Sequence, residues 1–267
     1  MTKVDILLPY WGDFKLLKLA VESVMAQTEP DWRLLVFDDC YPSDGPAKYF
    51  ASLTDSRIVY KRHRKNIGVT ANFNVAVNAA QAPYCVLMGC DDVMLPVYLE
   101  TALAHIDDAD FYQPGVAVID ETGKTYLPIS DRIKHWLQPN KAGRYAGEKL
   151  AVSLCYGNWL YFPSIMWRSA IIKKYGFNAD YSVAQDVFLE LNIIKDGGKL
   201  FFDKTQTFKY RRFAHSVSSL EKSTGKRFRE ENAVYSHFSH EFKIMGWRRA
   251  ARASQIRLTS RLHQLIS

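Results

Sequence analysis

The stretch PYCVLMGCDDVMLP, Pro83 to Pro96, sets two adjacent aspartates, Asp91 and Asp92, directly after an apolar run. The run reads as a buried strand, and Pro96 stops the pattern soon after the acids. Carboxylates without partners at the end of a core strand are costly. Such a strand end must therefore open into a cleft, or the two acids must share a cation. WRLLVFDD ends the same way, on Asp38 and Asp39.

Working outward from these two ends, strand-like and helix-like periods alternate. KVDILLPY is a strand. FKLLKLAVESVMAQ places Leu16, Leu17, Ala20, Val21 and Val24 at helical spacing. WRLLVFDD, RIVYKRH and PYCVLM are further strands, and PAKYFASL and VTANFNVAVNAAQ are helices between them. This alternation predicts βαβ units and a mainly parallel sheet. Ligands of such sheets lie at the carboxyl ends of the strands, so both acid pairs are expected to face one crevice. The second half is less regular. ADFYQPGVAVID reads as a strand, and residues 128–145 read as a polar loop or lid. GEKLAVSLCYG, RSAIIKKYGF and VAQDVFLELNIIKDGG are helices. KLFFD and TQTFKYRRF are two strands.

The bulk numbers narrow the function classes. A chain of 267 residues, 48% hydrophobic, can build one large core. No apolar run reaches the ~18 residues of a membrane span, and the N-terminus lacks a signal-like apolar core, so a cytoplasmic chain is expected. Cys40, Cys85, Cys90 and Cys155 form no zinc spacing and are expected to be reduced. The basic balance is local. From Phe208 onward thirteen Lys/Arg against four Asp/Glu give +9, so the 207 residues before carry −2 of the chain's +7. An acidic main body without a recognised motif argues against a nucleic-acid binder.

Four constellations carry chemistry. An acid at a strand end, as in VFDDCYPSDG, can accept hydrogen bonds from a base or sugar hydroxyl; an Asx turn is the other use of the same residues. RHRKNIGVTANFNVAVN puts a basic turn with Gly68 before a helix, with Asn66 and Thr70 as candidate caps, a setting that suits a phosphate or an ordinary helix start. It is not a P-loop. Asp91 and Asp92 suit a hard divalent cation, which takes one or two carboxylates and completes its shell with water and phosphates. Asp186 and Glu190 share one helix flank, either as a general base aimed into a cleft or as a solvated face.

In order along the chain, ILLPYWGDFKLLKLAVESVMAQT, LLVFDD, NIGVTANFNVAVNAAQAPYCVLMGCDD, PSIMWRSAIIKKYGF, QDVFLELNI and YRRFAHSVSS resemble the family 2 glycosyltransferases over residues 3–218. The resemblance implies a GT-A type α/β fold, a single Rossmann-like, mainly parallel sheet flanked by helices. Residues 1–120 would be the nucleotide-binding half and 121–218 the acceptor and catalytic-base half, with a basic helical extension over 219–267. It implies an inverting transferase that uses Mg²⁺ or Mn²⁺ and a nucleotide-diphosphate sugar, acting on a saccharide or lipid-linked saccharide. By the same resemblance, Pro9, Tyr10, Asp39, Asn66, Gly68, Asn72 and Asp91 would bind the nucleotide sugar. Pro9 would end the first strand against the nucleoside, and Asp39 would meet the base. Asp91 leans to the ribose and diphosphate, Asp92 with His215 to the metal, and Asp186 is the catalytic base. The chain departs from the family pattern at Gly89, where many members carry an acid. Phe73 stands where an arginine is common, leaving Arg62 or Arg64 to meet the nucleotide. Gln185 stands where a glutamate precedes the base.

Two rivals remain. A nucleotidyltransferase would carry a Gly-rich basic loop after the first strand, and LPYWGDFKLL has one glycine and no arginine. A non-catalytic nucleotide-sugar or polyanion binder would be expected to lose the retained acids. In the tail, Trp247, Ala251, Leu258, Leu262 and Leu265 form a narrow seam among Arg248, Arg249, Arg252, Arg257 and Arg261. The seam fits a peripheral contact with the inner membrane face, packing on the chain's own domain, or a homo-oligomer contact.

Overall fold

The computed structural model describes residues 2–213 and 225–256. Its N-terminal strands β1 (Val4–Tyr10), β2 (Trp32–Asp38), β3 (Ile58–Arg62) and β4 (Tyr84–Leu87) run parallel in the order β3-β2-β1-β4. Helices α1 (Phe14–Met25), α2 (Gly45–Ser52) and α3 (Val69–Ala79) connect them. Strands covered on both faces are apolar throughout. Accordingly Ile6, Leu8 and Val36 enter one core, while Leu7, Leu35 and Leu87 enter the other. In α1 the helical spacing buries Leu17, Ala20, Val21 and Val24, and Asp13 caps the first turn by accepting from Lys15 N at 2.6 Å.

The sheet continues through β5 (Val93–Met94), β6 (Phe111–Ile119), β7 (Gly143–Ala146), β8 (Met166–Arg168) and β9 (Lys199–Arg211). Antiparallel β8 sits between β4 and β6, and β9 runs parallel to β6. Six of the nine strands among the described residues therefore share one direction, and β5, β7 and β8 oppose it. The helices of this half are α4 (Tyr98–His105), α5 (Ile129–Leu137), α6 (Gly147–Tyr156), α7 (Ser169–Tyr175), α8 (Gln185–Lys195), α9 (Lys226–Ile244) and α10 (Arg248–Ile256).

Three expectations change. KLFFD and TQTFKYRRF form one strand, β9, held to β6 across a register irregularity at Gln113–Val116. Gly115 makes this approach available, because a Cβ there would collide with the Lys204 carbonyl. The expected polar loop at 128–145 contains α5 and β7. Its period was unreadable because the helix turns its polar side, with Asp131 buried, toward the protein. Pro9 does not end β1, which runs on to Tyr10. β4 pairs only with Val4–Leu7, so the missing N–H of Pro9 costs no ladder bond on that side.

The described part of the tail packs on the chain itself. Val234, Tyr235, Phe238 and Phe242 of α9 join the core of α6 and α8. The buried face of α10 is Ala250, Ala251, Ala253 and Ser254, with Trp247 packed against the same core. Glu148 of α6 accepts from Arg249 N at 2.7 Å, and Ser254 Oγ lies 3.2 Å from Cys155 Sγ. Leu258, Leu262, Leu265, Arg257, Arg261 and His215 lie outside the described residues. No helix among the described residues is long and apolar enough to cross a membrane. All four cysteines are free.

Candidate active site

The two acid pairs come at the ends of β2 and β4, which flank β1 in the sheet, and each is held differently. Asp38 is fully buried and spent on structure. It accepts from Tyr41 N at 2.7 Å and from the Tyr60 hydroxyl. Asp39 accepts from Ile67 N at 2.7 Å and from Gly68 N at 3.0 Å, so it fastens the turn before α3 to the end of β2. Cys40 follows in the left-handed region, φ 61°, a conformation disfavoured for a residue with a Cβ. Gly68 also holds positive φ, 86°, at the cap position of α3. Neither Asn66 nor Thr70 caps the helix by its side chain. Asn66 is exposed and accepts from Gly68 N instead.

The remaining expected nucleotide ligands border the same turn. Pro9 is partly exposed, and Tyr10 is buried with its ring 5.1 Å from that of Tyr41. The Asn72 amide is taken up on both sides, donating to Phe37 O at 3.0 Å and lying 3.0 Å from His63 Nε2. Arg62 pairs with Asp44 at 2.8 Å and donates to Tyr41 O, whereas Arg64 is exposed.

Asp91 and Asp92 converge over Gly89. A Cβ on Gly89 would lie 2.5 Å from Asp92 Oδ2 and 3.1 Å from Asp91 Oδ1. The glycine that replaces the common family acid thus leaves a gap bordered by one oxygen of each neighbour. Asp92 is 1% exposed. Its other oxygen, Oδ1, accepts from Arg211 N at 2.8 Å. Burial raises the pKa of both acids, and for Asp92 the charge of Asp91 adds to the rise. A buried carboxylate brought together with a half-buried one fits a divalent cation that completes its shell from phosphates and water. No cluster of three or more acid, His or Cys ligands occurs among the described residues. We expect Gly89→Ala to push the Asp92 carboxylate off its anchor while leaving the fold intact. Metal affinity should drop roughly 10–100-fold, read as a smaller Mn²⁺-induced thermal shift; an unchanged shift would rule this gap out as the cation site.

The end of β9 joins this acid pair to a cavity. Tyr210 lines that cavity, the Arg211 backbone holds Asp92, and Arg212 forms an ion pair with buried Asp131, Nε to Oδ2 at 2.6 Å. Arg211 also donates through Nε to Asp91 O and through Nη1 to Asp120 O. The cavity encloses about 200 Å³. Phe73, Tyr161, Phe162, Phe177 and Tyr210 supply its aromatic walls, and Lys134, Gln185 and Asp186 its polar groups. Phe73, at the position of the expected arginine, packs edge-on to Phe177 at 5.3 Å. It belongs to this wall.

Asp186 stands in the first turn of α8 and accepts from Val187 N at 2.8 Å. Burial raises its pKa, opposed by that amide and by the charge of Lys134. Burial pulls Lys134 down to about 8, with Arg212 adding to the fall. Its Nζ donates to Leu160 O at 2.6 Å. Glu190 is no solvated flank: it is fully buried, accepts from Asn158 Nδ2 at 2.8 Å, and its Oε1 has no partner among the described residues. Lys134, Asp131, Tyr210 and Arg212 went unnoticed in the sequence. The signal for the last two lay in YRRF, whose strand ending carries them, while Lys134 sat in the misread loop.

Residues 5–169 match the model of glycosyl transferase family 2. An uncharacterised glycosyltransferase of Methanocaldococcus jannaschii is 26% identical over 203 residues, covering 74% of this chain and 66% of that protein. A candidate colanic acid biosynthesis glycosyl transferase, WcaA, of Escherichia coli strain K12 is 33% identical over 103 residues, 38% of this chain and 37% of that one. The chain thus spans just under two thirds of the first relative's length and a smaller share of the second's. The mannosyltransferase PcManGT from Pyrobaculum calidifontis, solved with GDP-Man and Mn²⁺, superposes over 97% of this chain and 72% of its own at a TM-score of 0.68 and 12% identity. At that identity the likeness is one of fold. With the family model covering more than half its length, the chain belongs to glycosyl transferase family 2.

Proposed function

We propose that the chain is an inverting glycosyltransferase that moves a sugar from a nucleotide-diphosphate donor to an acceptor hydroxyl, in the assembly of a cell-surface polysaccharide or glycolipid. The observation that carries this reading is the end of β9, where Tyr210, Arg211 and Arg212 tie the Asp91–Asp92 pair to the cavity that holds Asp186. Pro9, Tyr10 and the turn held by Asp39 receive the nucleoside, with Asn66 and Gly68 at its rim and Asn72 supporting it from beneath. Asp91 faces the ribose and diphosphate. Asp92, with His215, would hold the cation. Bound there, Mg²⁺ or Mn²⁺ neutralises charge developing on the leaving diphosphate. The aromatic walls seat the acceptor, and Asp186 takes the proton of its attacking hydroxyl. Attack opposite the leaving group completes the transfer in one displacement, with no carboxylate nucleophile of the kind a retaining glycosidase uses.

Support comes from the family, from the GDP-Man and Mn²⁺ complex of the structural neighbour, and from the role in colanic acid biosynthesis that WcaA's name carries. The proposed acceptor is a saccharide or lipid-linked saccharide at the cytoplasmic face of the membrane. Any peripheral contact of the C-terminal helix falls to its exposed Arg248, Arg249 and Arg252 and to the residues beyond Ile256, because its small-residue face packs on α6 and α9.

A thermal-shift screen of nucleotide sugars with Mn²⁺ or Mg²⁺, followed by assay of the released product, tests the reading. One donor should stabilise the protein only with the cation, and nucleoside diphosphate should accumulate. Asp39→Ala should weaken that stabilisation. Release of pyrophosphate would reassign the chain to nucleotidyl transfer. Stabilisation without turnover on any acceptor would make it a binder.

A further inference from the structure

Helix α5 turns polar groups inward: Asp131 is fully buried in its ion pair with Arg212, and Lys134 lines the cavity, beside Leu137, which packs on the core. At 100° per residue, Ile129, Ile133 and Trp136 fall together on the opposite side, with Arg132 at their edge. Trp136 is 77% exposed and Ile129 60%. Leu127 and Tyr126, just before the helix, add exposed apolar surface. A surface helix normally buries its apolar face, and a cluster of large exposed apolar side chains marks an interaction site.

The charge around the patch selects the occupant. Between residues 122 and 147 the only acid is Asp131, which is buried and paired. Lys124, Arg132 and Lys141 are exposed in the same segment. Arg144, also exposed, pairs with Asp108. Apolar residues led by a tryptophan, in a segment whose exposed charges are all cationic, match the boundary of an anionic bilayer, where indole rings settle and each basic group adds attraction.

We propose that the outward face of α5, with Leu127 and Ile129 at its start and Trp136 near its end, docks the protein on an anionic membrane surface. The opposite side of the same short helix lines the acceptor cavity. Docking would therefore place the cavity at the headgroup level, within reach of a membrane-borne acceptor. The binding surface itself does not rest on the catalytic reading, since partitioning is measured without donor or acceptor.

The test is co-sedimentation of the full chain with vesicles of phosphatidylcholine alone and of equal parts phosphatidylcholine and phosphatidylglycerol. The wild type should pellet with the mixed vesicles, less so as salt is raised, and remain in solution with the neutral ones. The double variant Ile129→Ser/Trp136→Ser should partition roughly tenfold or more weakly, from the apolar area it withholds. Arg132→Glu should weaken binding at low salt and converge on the wild type at high salt. A chain ending at Ile256 should bind as the full chain does. Equal partitioning of the wild type and the double variant overturns the proposal, as does loss of binding only in the shortened chain. A wild-type dimer that the double variant converts to monomer would assign the patch to a second copy of the chain, and would overturn it too.

Discussion

Replacing Asp92 by asparagine is expected to abolish glycosyl transfer with the fold intact. Asparagine is close in shape, and its carbonyl can keep the 2.8 Å bond from Arg211 N that positions the side chain at the end of β4. What disappears is the negative charge on Oδ2, the oxygen that faces Asp91 across the gap over Gly89. In the wild type that charge is costly: Asp92 is 1% exposed, and burial and the Asp91 charge both hold its pKa well above the carboxylate range. A cation offsets this cost, so binding should stabilise the native state in proportion to its saturation. The wild type should therefore melt higher with Mn²⁺ or Mg²⁺, and Asp92→Asn should melt at one temperature with or without the ion. Its metal-free melting temperature should match or exceed that of the wild type. Turnover should fall to background. Wild-type activity that survives a chelator would remove the metal role from Asp92, and an unchanged cation shift in Asp92→Asn would move the ion elsewhere.

How much of this was legible in the sequence depends on where each side chain finds its partners. The β1–β4 half could be read because β1, β2 and β4 are largely apolar and both acid pairs fall at strand ends, so local pattern and tertiary role coincide. Asp39 could be placed at a strand end, but not its partners. Its partners, the Ile67 and Gly68 amides, lie about one βα unit away, and no local signal announces them. The α5 region failed for the opposite reason. Its local pattern contradicts its environment, with Asp131 and Lys134 inside and Trp136 outside, so a reading that assigns polar residues to solvent sees a loop. From the sequence Glu190 reads as either base or solvated flank, because the two positions on α8 are equivalent by spacing. Only the packing of α9 over α8 and the Asn158 contact separate them. Phe73 is the converse: read alone it is a missing arginine, and in the structure it completes an aromatic wall with Phe162 and Phe177.

Asp186→Asn should bind donor and cation nearly as the wild type does, yet turn over at least ~10²-fold more slowly, the low end for loss of a general base. Asp186 belongs to α8 and the cavity, whereas the proposed nucleotide turn precedes α3 and the acid pair follows β4, so the substitution should leave donor contacts in place. Its oxygen can still accept from Val187 N. Only the capacity to take the acceptor's proton goes. The pH behaviour gives an independent reading. Burial raises the pKa of Asp186, and a base works only when unprotonated. Turnover should therefore begin to fall at a pH above the ordinary carboxylate range as acid is added, and Asp186→Asn should flatten that limb. The sign for stability is the reverse. A carboxyl whose folded pKa is raised favours the native state while protonated, and that contribution is lost as pH rises through the folded value. At neutral pH the wild type bears the cost of a buried charge that the asparagine variant lacks, so Asp186→Asn should melt at a higher temperature while being the poorer catalyst. Glu190 offers the internal control. Burial and the neighbouring Asp186 charge push its pKa well above its ordinary value, which disfavours the charged form a general base needs. If Asp186→Asn instead keeps near-wild-type turnover with the natural acceptor while Glu190→Gln loses it, the assignment of the base passes to Glu190.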